Sequence, residues 1–447
     1  MTLAVIALFT LLNGDFWRNL MGWTGFLILS AIVTAIYAVL LVRGWQRIRN
    51  RGLPITLVVF LAFATLSLIW SFYRGATALA LVALFGTTIT AFGLAYLLPW
   101  SRFVKALGIT LRWSLGLSIL FELWVALIVR HPILPNFVHP KGNFAPDWYW
   151  CQGLILHGGP IQGIMGNRNL LGFVALVGIV VFSVQIADRV ISRLWGYFWL
   201  AISVLCIALT QSATIIFAGV LVVICGLLAL WARHRGDGRH RLVYWTALFG
   251  FVGLGLVAVA FGPAIAQIVG RSPDFTGRAD IWQIVIHLWE QKPVLGWGWI
   301  SYWVPWVEPF HNLIVRHGVT YLHAHNAWLD VGMQLGWIGL IMFAVFCITA
   351  IWRAWFRAVD RPRWDIRTDR PFVSLHMLPL FLLACLLAQS LAESRMLVEG
   401  GWALLVISAV ATKLPDTLNE HPRLINTNPE QHVPARAGSA ARASVSE

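Results

Sequence analysis

ATIIFAGVLVVICGLLALW, residues 213–231, carries no charged residue and runs straight into the basic cluster Arg233-His234-Arg235. Its length matches the roughly 20 residues that an α-helix needs to cross a hydrocarbon core. Lipid offers the backbone no hydrogen-bond partner, so such a run must satisfy its own groups as a helix. A strand of a membrane barrel would alternate in segments of about ten residues, and this run does not alternate.

Working outward, similar runs recur at 2–13, 21–42, 54–72, 76–98, 109–129, 170–187, 194–210, 242–261, 326–352, 372–391 and 396–412. Together they predict an all-α, polytopic integral membrane protein of about twelve transmembrane helices, the first and last of them short. Composition agrees, with 59% apolar and 12% charged residues in 447, where soluble domains carry about 25% charged. The opening residues lack a basic region and a small-residue cleavage site, so they read as a short span rather than a signal peptide. Four of the five cysteines lie in apolar runs and Cys151 stands alone in a loop, which implies no disulfide framework.

The net charge of +14 invites a nucleic-acid reading, but the basic residues sit in short loops. Segments 43–51, 99–105, 188–193, 232–241 and 353–370 all fall on one side if the N-terminus is inside. That is the positive-inside pattern of a cytoplasmic membrane protein, and the 25 tryptophans suit interfacial anchoring. Nucleic acid is therefore not expected as a partner; membrane lipids are. Two long segments, about 130–169 and 262–325, are left outside. The second should contain an amphipathic helix from Thr276, with Ile281, Trp282, Val285, Leu288 and Trp289 on its apolar face. Residues 413–447 read as a disordered cytoplasmic tail.

Three features of the outer segments could carry chemistry. Gly166-Asn167-Arg168-Asn169 opens a span, where an arginine beside free helix N–H groups suits a phosphate or simply snorkels to headgroups. Arg278 lies in the first turn of the amphipathic helix, against the macrodipole, where Asp280 could pair with it. His325 opens a further span beside Asn326, and histidine suits proton abstraction at neutral pH, although many interfacial histidines are passive anchors. His311, His317, His323 and His325 share one loop, but no HExxH or cysteine pair accompanies them, and no metal is expected. Asp330 is costly in a span unless paired. Glu393, Arg395 and Glu399 either line a cavity or pair with one another.

His325-Asn326, then nine residues, Gly336, two residues and Gly339, resembles the signature of the O-antigen ligase and polymerase superfamily. Gly166-Asn167-Arg168-Asn169 and Gly277-Arg278, followed by Ile281-Trp282 ahead of Pro293-Val294-Leu295-Gly296-Trp297-Gly298, look like the family and stand in the right order. The resemblance implies a GT-C-like membrane glycosyltransferase domain over residues 1–412, working without nucleotide sugar, metal or other cofactor. The donor would be a glycan on undecaprenyl diphosphate, and the acceptor a hydroxyl of a glycan, lipid or protein. By analogy Arg168 and Arg278 would hold the diphosphate and His325 would activate the acceptor, with Asn169 and Asn326 in support. One departure is Ala213, where many members carry arginine; Arg316 or Arg395 could supply that charge. A lipid-linked glycan flippase is the competing class, but it predicts internal repeats and mid-span charges, whereas these polar residues cluster at the outer face.

Overall fold

The computed structural model describes residues 1–48, 52–138, 144–235, 240–250, 252–253, 278–316, 318–360 and 372–414. Twelve helices of eleven or more residues organise these residues, besides the short helix Trp45–Ile48 and the helical stretch 241–250. They are α1 (Thr2–Leu12), α2 (Gly14–Arg43), α3 (Ile55–Leu66), α4 (Arg74–Leu97), α5 (Trp100–Trp124), α6 (Arg168–Ala187), α7 (Arg193–Thr210), α8 (Ala213–Arg235), α9 (Arg278–Gln291), α10 (Ala327–Val359), α11 (Leu378–Ser390) and α12 (Glu399–Ala411). Among the described residues, seven helices are long and apolar enough to cross a membrane: α2, α4, α5 with its continuation to Val129, α6, α7, α8 and α10. α1, α3, α12 and the run Ser374–Ser390 that contains α11 are shorter apolar helices. The chain is an all-α polytopic membrane protein.

Eleven of the expected apolar runs fall on these helices. In the remaining run, 242–261, residues 242–250 are helical and most of the rest lies outside the described residues. So do Gly262, Pro263, Thr276, Gly277, His317 and the tail from residue 415. Two loop expectations need correction. Residues 99–105 do not form a loop, because α5 begins at Trp100 behind Pro99, with Trp100, Phe103 and Val104 buried and Arg102 and Lys105 turned outward. α10 likewise continues through Arg353 and Arg357 to Val359, with Ala354 and Ala358 packed inward. In each case an amphipathic turn extends the span beyond its uncharged stretch.

α6, α11 and α12 form the centre of the bundle and are largely buried, whereas α2, α7 and α8 keep most of their apolar surface outward. Neighbouring packing joins α6 to α7, α11 to α8, α12 to α4 and α10 to α3. Hydrogen bonds between distant residues sort into two ends. At one, Trp100 reaches Leu375, the Ser374 and Leu375 amides donate to Asp188, Arg233 bonds Ala358 and Lys413 bonds Leu53. The basic helix ends gather here. The other end holds the starts of α2, α6, α8, α9, α10 and α12.

Gly336 of the signature earns its place through the backbone. Its φ of +64° breaks α10 into two rods, and a Cβ there would lie 2.2 Å from the Val294 carbonyl. Segment 293–298 lies across the break: Trp337 N donates to Pro293 O at 2.8 Å, and Gly298 N donates to Gln334 O at 2.8 Å. Gly296, at φ +68°, passes equally close to Gln334. The broken helix groups are thus satisfied by a chain crossing that no side chain at 296 or 336 would permit. α9 packs its Ile281, Val285 and Leu288 face on α10 rather than into lipid. Each such burial is worth about 1.5–3 kcal/mol, so the expected amphipathic helix is fixed to the protein.

Candidate active site

The first component is the mouth of α6. Asn167 caps the helix, its Oδ1 accepting from the Asn169 amide at 2.8 Å and the Leu170 amide at 3.3 Å. The preceding turn is pinned from α5, where Glu122 Oε1 accepts from the Gln162 and Gly163 amides at 2.7 and 2.9 Å. Asn169 therefore projects from a fixed helix end. Its Nδ2 donates to Glu393 at 2.7 Å and its Oδ1 accepts from Ser212 at 2.7 Å. Arg168 is exposed and makes no hydrogen bond or ion pair among the described residues.

Glu393, in the turn between α11 and α12, is the hub. It is only 3% exposed. Besides Asn169, its Oε1 accepts from Arg278 Nη2 at 2.9 Å, and its Oε2 lies 3.0 Å from His325 Nδ1. Arg278 also donates from Nη1 to Thr214 at 3.3 Å. Burial alone would push the Glu393 carboxyl up; the positive field of His325, its hydrogen bond and Arg278 outweigh this and hold it well below the ordinary carboxylate range. An ionised carboxylate only accepts, so His325 Nδ1 donates to it, and Nε2 takes no part in this contact.

His325 sits at φ +51°, immediately before Asn326, whose side chain caps α10 by accepting from the Trp328 and Leu329 amides. The His323 ring lies 4.1 Å from that of His325, and His323 Nδ1 accepts the His325 amide at 3.1 Å. Burial, and then the positive field of His325, push the His323 ring well below its ordinary value, so it remains neutral. His323, His325 and Glu393 bring ligand atoms within 4.8 Å of one another, as a metal would require. The Arg278 guanidinium and the Asn169 amide, however, occupy the same carboxylate. A cation there would face a fixed like charge on its own ligand.

The structure thus unites His325, Arg278 and Asn169, and places Asn326 as a cap beside them. Arg395 turns elsewhere, donating to Tyr302 at 3.0 Å and Glu399 at 3.1 Å and pairing with Asp15. Arg316 lies in the first strand of a hairpin pairing Val315–Arg316 with Val319–Thr320, and its side chain is outside the described residues. Around Ala213 the neighbouring hydroxyls do the bonding, Ser212 to Asn169 and Thr214 to Arg278. Glu393 was only one of three candidate charges in its turn, and nothing in its local sequence distinguished it from Arg395 and Glu399. Ser212 and Thr214 gave no signal beyond flanking Ala213.

Residues 196–344, which supply Arg278, His325 and Asn326, match the family model described as O-antigen ligase. Over this third of its length the chain is similar to O-antigen ligases. Over 214 residues it is 27% identical to the exopolysaccharide production protein ExoQ of Rhizobium meliloti, covering 45% of this chain and 48% of that protein. It is also 24% identical over 228 residues to a general O-oligosaccharyltransferase of Acinetobacter baylyi, covering 48% of this chain and 38% of that protein. The chain spans about half or less of the length of these curated relatives. The O-antigen ligase match stops short of Glu393, so the hub joins the matched segment to residues on either side of it.

Proposed function

We propose that the protein transfers a glycan from undecaprenyl diphosphate to a hydroxyl of a glycan, lipid or protein acceptor. The reaction takes place at the outer face of a bacterial cytoplasmic membrane, within about twelve GT-C-like spans. The orientation rests on the basic helix ends gathering opposite the site. The observation that carries the chemistry is the convergence of His325 and Arg278 on Glu393, at the same end as the exposed Arg168.

In the transfer, His325 Nε2 takes the acceptor hydroxyl proton as the oxygen bonds the anomeric carbon. The bond from that carbon to the diphosphate breaks, and the electron pair leaves with polyprenyl diphosphate. Attack opposite the leaving group inverts the anomeric centre. Arg168 and Arg278 stabilise the growing phosphate charge, the role that a metal plays in other glycosyl transfers. Asn169, Ser212 and Thr214 hold the carboxylate and guanidinium in register. The names of the two relatives, one for exopolysaccharide production and one for oligosaccharide transfer, support the same substrate class.

The test is release of polyprenyl diphosphate from a lipid-linked oligosaccharide by protein in nanodiscs, with EDTA and mixed acceptors. Release with sugar recovered on an acceptor is the expected outcome, and product length separates ligation from polymerisation. Absence of turnover, combined with movement of the lipid-linked glycan between leaflets, would replace the transferase with a flippase.

A further inference from the structure

We infer that Asp330 and Ser394 are positioning residues that lock His325 onto Glu393, an inference resting on the reading of His325 as the base. Asp330 lies in the first turn of α10 and is 1% exposed. Its Oδ1 accepts from Trp303 Nε1 at 3.0 Å, and its Oδ2 accepts from the Ala324 amide at 3.0 Å and from the Ser394 hydroxyl. Ser394 Oγ in turn accepts the Asn326 amide at 3.1 Å. The residues on each side of His325, Ala324 and Asn326, are therefore tied to one carboxylate, directly and through one hydroxyl.

Two features make this more than general stabilisation. His325 adopts a left-handed φ of +51°, which residues with a Cβ rarely take and hold only when their surroundings fix it. The two amide ties act on both sides of that residue. Ser394 also follows Glu393 in the chain, so the hydroxyl that fixes the turn of the histidine fixes the turn of its carboxylate partner. The 3.0 Å contact between His325 and Glu393 is thus set by a relay from Asp330 through the Ser394 hydroxyl to the Asn326 amide.

The donor inventory gives each substitution a distinct meaning. An ionised aspartate offers only acceptors and meets three donors. Asp330→Asn keeps the shape but turns an amide NH2 towards one of them. Ser394→Ala cuts the relay to Asn326 and leaves the other two donors on Asp330, whereas Ser394→Thr retains the hydroxyl.

The experiment compares wild type, Asp330→Asn, Ser394→Ala and Ser394→Thr in nanodiscs, below the melting temperature of the least stable. Steady-state polyprenyl diphosphate release is paired with 15N-histidine NMR, the His325 resonance being assigned with His325→Gln. Ser394→Ala and Asp330→Asn should lower kcat about ten- to a hundredfold, with KM for the lipid-linked donor unchanged within about twofold. The hydrogen-bonded Nδ1–H signal of His325 should be lost in both and kept in Ser394→Thr, whose kcat should stay near wild type. Wild-type kcat and an unaltered His325 signal in Ser394→Ala and Asp330→Asn would overturn the inference while leaving the transferase reading intact. If wild type itself releases nothing, the transferase reading fails and the His325 signal alone decides the positioning role. Should Asp330→Asn not fold, Ser394→Ala with its threonine control decides in the same way.

Discussion

Glu393 and Glu399 stand in one short stretch, and each meets arginine, yet they belong to networks of opposite character. Glu399 joins Asp15, Arg18 and Arg395 in a closed set of two carboxylates and two guanidiniums. Each arginine meets both acids, Tyr302 donates to Glu399 at 3.2 Å, and Arg18 also lies over Trp23 at 4.9 Å and Phe26 at 4.8 Å. The formal charge is zero, and the links tie the start of α2 to the start of α12 and to the loop at Tyr302. Glu393 faces one arginine and one histidine ring, whose second nitrogen has no part in the network. A charged cluster alone does not define a site. Of the two groups, the one around Glu393 holds, among the described residues, a histidine ring with one nitrogen outside the network.

The comparison is broken most directly at its proton-active member. His325→Ala should lower polyprenyl diphosphate release per folded molecule by about a thousandfold, the scale of general-base loss, beyond whatever stability is lost as the buried Glu393 gives up a partner. Retained turnover would move the base elsewhere. The closed network should respond in the opposite way. Arg395→Ala leaves Asp15 and Glu399 short of a partner in a protein interior, where breaking a buried pair costs about 3–5 kcal/mol. Thermal unfolding in nanodiscs measures that loss, and turnover per folded molecule at low temperature should be largely kept. Normal stability with abolished turnover would instead put Arg395 in donor binding.

Within the Glu393 group, Glu393→Gln should cost about ten- to a hundredfold in release. The neutral amide no longer holds the His325 proton on Nδ1, and its NH2 confronts the donors Asn169 and Arg278. A pH–rate profile checks this, because loss of the carboxylate should alter its acid limb. Little change in either rate or limb would reduce Glu393 to a structural anchor like Glu399.

Much of this was legible from single residues, and the reason is the solvent. Lipid forces each apolar run into a helix, so the spans could be read locally, as residues 213–231 were. Boundaries were less legible where an amphipathic turn carried the helix past its first charges, as at Arg102 and Arg353. His325, Arg278 and Asn326 lie in or beside recognisable patterns, and Gly336 within the signature. Glu393 could not be singled out because its meaning lies across the fold: its partners are 224, 115 and 68 residues away in sequence. The same distance hid Arg395, whose pairing with Asp15 crosses 380 residues. Ala213, read as a missing charge, is flanked by two hydroxyls, Ser212 on Asn169 and Thr214 on Arg278.

Arg168 sharpens the contrast from the outside, since it belongs to neither network. Arg168→Ala should leave stability unchanged and raise KM for the lipid-linked donor about five- to tenfold, an exposed charge-assisted contact being discounted by solvent. The effect should shrink at high salt. An unchanged KM would make the residue a headgroup anchor.

The smallest effect concerns His323, which accepts the His325 amide and stays neutral in the fold. Its folded value lies well below the ordinary 6.5, so between the two the unfolded chain binds the extra proton. Stability from this group is therefore complete above about pH 6.5 and falls as pH drops below it, by at most about 1.4 kcal/mol per pH unit. His323→Gln removes the titration while its side-chain carbonyl can still accept the His325 amide. Melting curves from pH 7.5 to pH 5 should fall less steeply for this variant than for wild type. Parallel curves would mean that folded His323 takes its proton as readily as the unfolded chain, and that His325 is held beside a cation in acid.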